Sequence, residues 1–332
     1  MTLFQAIPGV EVIAASDANP AVLEGFVKDF HVRGYADWRE LLDKERLNLA
    51  AIFLPHADCP EAAVACAERG THVMVEKPMA ASAEGVRHMI AAARKAGVIL
   101  STPYAWRYHP VAQEMRRLVV GGVTGRIVGC EGRCAAGRLS RYIDGHAGWM
   151  LEKARSGGGP MFNLGVHWID LYRWMLSDEV VEVIGKTVRA NQQYDIEDNC
   201  FAFLTFARGT VLALDISYTV PDSYPFGRDL YLALRGTSGV LSWSPSFEGV
   251  KERLFVCSDS GEYSQPARQH LDFELPQQPG YAGIMGLRFL ADLVESIRTG
   301  RPPAITGYDG LKALEVVEAV YRSAERGQSV RL

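Results

Sequence analysis

The chain has 332 residues, 48% apolar and 22% charged, which suits a globular protein with a sizeable core and a length nearer two domains than one. With 35 Lys and Arg against 39 Asp and Glu, the net charge is −4, a balance that argues against a dedicated nucleic-acid binder. No stretch reaches the roughly 18 consecutive apolar residues of a membrane span, and the N-terminus carries no signal-like n-region or apolar run, so a cytoplasmic protein is expected.

In chain order, Val10–Ser16 reads as a buried strand and Pro20–Phe30 as a helix that opens on proline. Leu49–Leu54 is a second buried strand, followed by an Ala-rich helix from Pro60 to Arg69 that Gly70 closes. His72–Val75 is the next strand, Ser82–Ala96 a helix with Ser82 as its N-cap, and Val98–Thr102 a further strand. Continuous apolar strands alternating with amphipathic helices predict a parallel sheet covered on both faces, a doubly wound domain over residues 1–103.

The pattern changes over residues 104–332. A helix over His109–Val120 leads to a strand over Ile127–Cys134, an irregular stretch through Trp149, and a helix after Gly157-Gly158-Gly159. Strands are expected over Glu182–Ala190, Asn199–Phe206, Thr210–Tyr218, Asp229–Arg235 and Leu254–Val256, separated by hairpin turns such as Arg208-Gly209. This second sheet is therefore read as large, open and mainly antiparallel. Helices over Gly286–Arg298 and Gly307–Arg326 finish the chain and are expected to pack back on the first domain.

The six cysteines make no CxxC pair, so no disulfide scaffold is expected and a reducing compartment is the default. Cys130 and Cys134 share a strand face; buried free thiols are the expectation and a metal pair the alternative.

Three segments carry chemistry. Asp17 follows the first strand, where an acidic residue binds the adenine ribose of a dinucleotide and repels a 2′-phosphate; the alternative is a turn aspartate before Asn19-Pro20. Glu76-Lys77-Pro78 follows the strand His72–Val75, and strand C-termini are where open α/β sheets place ligands. On position alone, an exposed strand-end lysine is the favoured reading of Lys77. Asn163, His167 and Asp170 share one helix face, with Gly165 allowing close approach; a core histidine held by Asp170 is the alternative reading.

Together these residues resemble the Gfo/Idh/MocA oxidoreductases, the family of glucose–fructose oxidoreductase and inositol dehydrogenase, over nearly the whole chain. Glu76-Lys77-Pro78 looks like the family's EKP motif, and Gly157-Gly158-Gly159 with Asn163-x-Gly165-x-His167-x-x-Asp170 looks like its GGG…(D/N)xGxHxxD segment. The run from Gly300 to Glu315 looks like its closing helix. The resemblance implies a Rossmann domain plus an α/β domain, a homodimer or homotetramer formed through the open sheet, and NAD more than NADP as cofactor. It implies hydride transfer between nicotinamide and a secondary alcohol of a polyol, sugar or cyclitol. His167 is then the general base, Lys77 the stabiliser of the developing alkoxide, and Asn163 a substrate-holding group in the place of a catalytic aspartate. Cofactor contacts are expected at Asp17, Leu54, Pro55, His56, Glu76 and Lys77, and substrate contacts at Asn163 and His167; Tyr104, Trp106, Arg107 and His109, just after the last Rossmann strand, are pocket candidates for which structural roles are at least as strong a reading. No metal is expected. A cyclic dihydrodiol dehydrogenase and a non-catalytic ligand-binding or scaffold homologue are the alternatives.

Two departures from the family pattern bear on the cofactor. Cys59 stands at a usual histidine, and no GxGxxG precedes Asp17. The expectation is that the first strand and glycine loop of the Rossmann order 3-2-1-4-5-6 are missing, roughly 15–20 residues by ordinary element size.

Overall fold

The computed structural model describes every residue except 138, 146, 222 and 247–250. A short α1 (Thr2–Gln5) precedes β1 (Ala14–Ser16), α2 (Pro20–Phe30), β2 (Arg33–Tyr35) and α3 (Trp38–Lys44). Then come β3 (Leu49–Ile52), α4 (Cys59–Glu68), β4 (His72–Val75), α5 (Ala83–Ala96) and β5 (Leu100–Ser101). Side chains start the helices: Asn19 Oδ1 accepts from the Ala21 N–H at 3.0 Å and Ser82 Oγ from the Gly85 N–H at 3.2 Å, satisfying donors that a helix leaves open. Gly97 ends α5 in the left-handed region, at φ +69°.

The strands pair in parallel as two ladders, β1–β2 and β3–β4–β5. These are the two flanks of a doubly wound sheet, and among the described residues no strand joins β1 to β3. The backbone of β1 and β3 is therefore paired on one side only, and Ala14, Ala15, Ala50 and Ala51 stay half-buried. By contrast β4, paired on both sides, buries Val73, Met74 and Val75 completely or nearly so. The strand expected from Val10 is regular only from Ala14, where pairing with β2 begins. Neither β2 nor α3 was expected, since Arg33-Gly34-Tyr35 has no apolar run to announce it.

A one-turn helix over Ala105–Tyr108 leads into α6 (Pro110–Val120), β6 (Ile127–Ala136), α7 (Leu139–Asp144), α8 (Lys153–Ser156) and α9 (Val166–Leu176). The rest of the sheet follows as β7 (Val180–Val188), β8 (Asn199–Phe206), β9 (Val211–Ser217), β10 (Arg228–Gly236), β11 (Gly239–Trp243), β12 (Lys251–Ser258) and β13 (Arg268–Glu274). After α10 (Gly283–Thr299) and α11 (Gly307–Arg326), β14 (Val330–Arg331) closes the sheet at the β7 edge. The order is β13-β12-β11-β10-β6-β9-β8-β7-β14. All pairs are antiparallel except β6–β9, because the long connection through α7–α9 returns the chain across one face before the meander begins.

That face is covered by α9, whose Trp168 and Tyr172 lie over Gly132 of β6. A Cβ there would sit 2.5 Å from Trp168 Cδ1, so glycine is what admits the helix. On the other face Ile184, Phe203 and Ala213 form a cross-strand row, and Ile184, Phe201, Phe203 and Val211 are exposed. α11 ties the two halves together: Glu318 Oε1 accepts from the Ala83 N–H at 2.7 Å, and Glu315 pairs with Arg87 at 2.7 Å. One continuous apolar core runs from the parallel ladders to this sheet.

Candidate active site

β4 ends at Val75, and Glu76-Lys77-Pro78 carries the chain out at its C-terminal end, with the Lys77–Pro78 peptide cis. The Lys77 side chain turns inward. Its Nζ donates to the Asn163 carbonyl oxygen at 2.9 Å and to Asn163 Oδ1 at 2.8 Å. Burial lowers the ammonium's pKa below the usual lysine range, against the opposing charge of Glu76. An ammonium has three protons, so one remains for a further acceptor.

Asn163 lies in a π-helical turn (Met161–Gly165) that opens into α9, a widened geometry found often at functional sites. Its Nδ2 donates to the Tyr142 hydroxyl at 2.8 Å and the Tyr218 hydroxyl at 2.9 Å. Both amide protons are thus spent on protein partners, and Oδ1 accepts from Lys77. In this arrangement Asn163 is held against Lys77 by two contacts to the lysine Nζ.

His167 follows one turn later and is half-buried. Its Nδ1 is shielded from solvent without a hydrogen-bond partner. Burial first, and the charge of Lys77 second, push its pKa well below the ordinary value of 6.5. The imidazole is neutral at physiological pH and can accept a proton. The ring of Tyr104 stands edge-on to it with centroids 6.1 Å apart, and the Tyr104 hydroxyl and Thr102 Oγ1 are also shielded and unpartnered.

The glycine run fixes the start of this segment. A Cβ on Gly158 would run into the Tyr321 hydroxyl, and one on Gly159 into the Glu197 carbonyl oxygen. The buried Glu197 carboxylate accepts from the Gly159 N–H at 3.0 Å and from the Tyr321 hydroxyl at 2.5 Å, so it anchors the turn that carries Asn163. Tyr142, Tyr218 and Glu197 were not anticipated. They come from the short α7, a strand end and a polar loop, and no spacing relates them to Asn163.

Of the expected cofactor residues, Asp17 follows β1; its Oδ1 accepts from the Asn19 N–H at 2.8 Å, while Oδ2 makes no hydrogen bond among the described residues. Leu54, Pro55 and His56 form the loop after β3, and Glu76 sits beside Lys77 after β4. His56 Nδ1 lies 2.6 Å from the Ser156 carbonyl oxygen and the Ala57 N–H donates to Arg155 O at 3.0 Å, which stitches this loop to the glycine segment. Cys59 is a buried thiol pushed up to about 12 by burial, so it is inert. Cys130 and Cys134 are buried free thiols as well, and the described residues hold no group of three or more metal-ligating side chains.

Three of the pocket candidates make packing, capping or ion-pair contacts within the protein. Trp106 packs edge-on against Trp168 and Trp243, at 5.5 and 5.7 Å between centroids. His109 caps α6, its Nδ1 accepting from the Val111 N–H at 3.2 Å, and lies against Trp243. Arg107 is buried between two carboxylates: Nε donates to Asp170 at 2.9 Å and Nη2 to Asp309 at 2.7 Å, with a second contact from Nη2 to Asp170. Asp170 therefore holds Arg107 and not His167. Tyr104 alone of the expected four stands beside His167.

The buried histidines make stability pH-dependent. Burial takes His56 down to about 4 and His109 to about 3, below the unfolded value, so the unfolded chain binds the extra protons. Their contribution is present at neutral pH and lost below about pH 6.5, by about 2 kcal/mol each at pH 5. Burial lifts Asp170 to about 6 despite Arg107 beside it, and its protonation returns about 1 kcal/mol over the same interval. Urea unfolding at pH 7 and pH 5 should show a net loss of about 2–3 kcal/mol; equal stabilities would refute the neutral assignment.

These residues suit the two ends of a dinucleotide, Asp17 the adenosine ribose and Lys77 with His167 the reacting end. An unpartnered carboxylate oxygen at Asp17, a buried lysine with a spare proton and a neutral histidine match ribose, substrate hydroxyl and proton acceptor. The pyrophosphate is not provided for in the same way: the described connections β1–α2, β3–α4 and β4–α5 contain no glycine, so none is a glycine-rich phosphate turn.

Residues 2–104 match the oxidoreductase family with an NAD-binding Rossmann fold, and residues 112–242 match the Gfo/Idh/MocA C-terminal domain. D-apiose dehydrogenase from Paraburkholderia graminis is 26% identical over 98% of this chain and 84% of that protein. Myo-inositol 2-dehydrogenase from Thermotoga maritima is 25% identical over 90% and 84%. The fold of an Agrobacterium radiobacter oxidoreductase, solved in complex with NAD+, L-tartaric acid and magnesium, superposes with a TM-score of 0.86 over 100% of this chain and 94% of that one at 21% identity. The two matched regions, over residues 2–104 and 112–242, make this chain a member of the Gfo/Idh/MocA oxidoreductase family.

Proposed function

We propose that the chain is an NAD-dependent dehydrogenase acting on a secondary alcohol of a polyol, sugar or cyclitol. The observation that carries this is Lys77, buried with one unspent N–H, beside a neutral His167 at the C-terminal end of a parallel strand. When bound, NAD supplies the hydride acceptor. The chain supplies the rest. Lys77 orients the reacting hydroxyl and stabilises the negative charge that grows on its oxygen. His167 takes the hydroxyl proton, and Asn163, with Tyr142 and Tyr218 behind it, holds the lysine in place. The names of the relatives, a D-apiose and a myo-inositol dehydrogenase, support this substrate class. In this reading residues 1–103 hold the cofactor and residues 104–332 the substrate, in a cytoplasmic setting that keeps the six thiols free.

The test follows NADH formation with a panel of polyols, sugars and cyclitols, together with dinucleotide titration. NAD should bind more tightly than NADP, because Asp17 presents an unpaired oxygen where a 2′-phosphate would lie and the residues after it, Ala18-Asn19-Pro20, offer no cation. Asp17→Ala should relax that preference. Tighter NADP binding by the unmutated chain would remove Asp17 from the cofactor site.

The exposed row on the large sheet supports self-association through that face. Phe203 is 57% exposed at its centre, flanked by Ile184, Phe201 and Val211, a contiguous apolar surface of the kind that marks protein contacts. In light scattering the unmutated chain should be a dimer or tetramer and Phe203→Glu a smaller species with its fold intact by circular dichroism. An unchanged mass would place the contact elsewhere.

A further inference from the structure

Two tyrosine hydroxyls are tied to the reacting lysine through a single side chain. The oxygens of Tyr142 and Tyr218 both accept from Asn163 Nδ2, at 2.8 and 2.9 Å, while Oδ1 of the same amide accepts from Lys77 Nζ at 2.8 Å. The two rings stand 5.1 Å apart and pack with Met150, Leu151 and Ile196 in a small apolar cluster of their own. A phenol hydroxyl accepts and also has one proton to give. Neither tyrosine gives its proton to any other side chain or backbone group among the described residues. The two hydroxyls do interact with each other, but that takes only one of the two protons. At least one O–H is left unspent, and a buried donor without an acceptor is costly.

Access decides which of the two keeps it. Tyr218 is 2% exposed, whereas Tyr142, Asn163 and Lys77 retain 6, 7 and 8%, so the three linked residues border one narrow cleft and Tyr218 stands behind them. Gly137 leaves the Tyr142 hydroxyl uncovered from its own direction, for a Cβ there would lie 2.8 Å from the oxygen. Burial raises the Tyr142 pKa above the usual phenol value, so the proton is present at neutral pH. The Tyr142 oxygen lies within about 8 Å of Lys77 Nζ, since the links between them are 2.8 Å, the width of one amide and 2.8 Å. Two hydroxyls on adjacent carbons, each with a hydrogen bond of about 2.8 Å on its outer side, bridge a gap of this size.

We propose that Tyr142 is a specificity-determining residue whose O–H donates to a substrate hydroxyl on the carbon next to the reacting one, so that the chain selects a vicinal diol over a lone secondary alcohol. The reacting hydroxyl at Lys77 and His167 rests on the dehydrogenase reading; the spare donor at Tyr142 does not. Tyr218 is a positioning residue, which holds Asn163 and touches no substrate.

The experiment titrates the full chain, with and without NAD, by NMR with cis-1,2-cyclohexanediol, trans-1,2-cyclohexanediol and cyclohexanol, and follows NADH formation from each. At least one of the diols should bind about 10-fold more tightly than cyclohexanol, because a site built to donate to a hydroxyl is left unpaired by the analogue that lacks it. Tyr142→Phe keeps the ring and should erase that preference. Tyr218→Phe withdraws the same kind of support from Asn163, so it should lower turnover of diol and alcohol by the same factor and keep the preference. In turnover, Tyr142→Phe should lower kcat/KM for the preferred diol about 10-fold more than for cyclohexanol, a difference that loosening of Asn163 alone does not produce. No preference for either diol in the unmutated chain overturns the proposal without need of any variant, and so does a preference that survives in Tyr142→Phe. A Tyr142-dependent preference in binding, with no NADH formed from any of the three, upholds the hydroxyl contact and rejects the dehydrogenase reading.

Discussion

Replacement of His167 by Leu is expected to lower kcat on a polyol or sugar about 10²–10⁴-fold, the usual contribution of a positioned general base. The same change should leave the protein as stable as before, or more so, because His167 Nδ1 is a shielded polar atom without a partner, and removing such a group relieves a desolvation cost of about 1–3 kcal/mol. Lys77→Met should lose about 10²–10³-fold in kcat, as when one preorganised donor is removed from a growing oxyanion. The pH profile follows from the two shifts. The base must be neutral, and its pKa lies well below 6.5, so the acid limb of kcat/KM should fall below that value. The lysine must be charged, and its pKa is lowered from 10.5, so the basic limb should begin earlier than an ordinary lysine allows. Near-normal turnover in both variants, with melting temperatures unchanged, would remove the pair from the mechanism.

Arg107→Met should be among the most destabilising single changes in the chain, at about 3–5 kcal/mol, because it leaves the Asp170 and Asp309 carboxylates buried without their shared counter-ion. Arg107 sits just after the parallel ladders, Asp170 on α9 and Asp309 in the first turn of α11. The loss should therefore reach activity too, since α9 carries His167. Arg107→Lys should not restore stability, for an ammonium cannot reproduce the fork that spans both carboxylates. Arg107→Met combined with Asp170→Leu should recover part of the loss, because Asp309 keeps its capping contact to the Thr306 N–H at 2.8 Å. Urea midpoints read all three variants. An Arg107→Met protein within about 1 kcal/mol of the parent, the range of an exposed pair, would mean that the clamp contributes only surface-like electrostatics.

Much of the architecture was legible from local pattern. Apolar strands such as His72–Val75 and capped helices such as Ala83–Ala96 announce themselves because their signals lie within a few residues. The elements that escaped notice, β2, α3, β11, β13 and β14, are short, polar or glycine-interrupted, and their partners rather than their own sequences hold them in place. Lys77 and His167 were legible as a strand-end lysine and a residue on a polar helix face.

Which partners the other polar residues have was decided by contacts between segments far apart in the chain. The substrate role of Asn163 follows from the family resemblance alone, and nothing near it in sequence announces that Tyr142 and Tyr218, from 21 residues before and 55 after it, accept its amide protons. Arg107 and Asp170 looked like a pocket residue and a histidine partner until Asp309, 202 residues beyond Arg107, joined them in one buried cluster. The sequence by itself determined the strand and helix periodicity, the strand end that presents Lys77 and the helix face that presents His167, because those depend on residues within a turn or a strand of one another. Only the tertiary structure decided which polar groups remain unspent, since a hydrogen-bonding group is spent or free according to partners that the fold alone brings within about 3 Å.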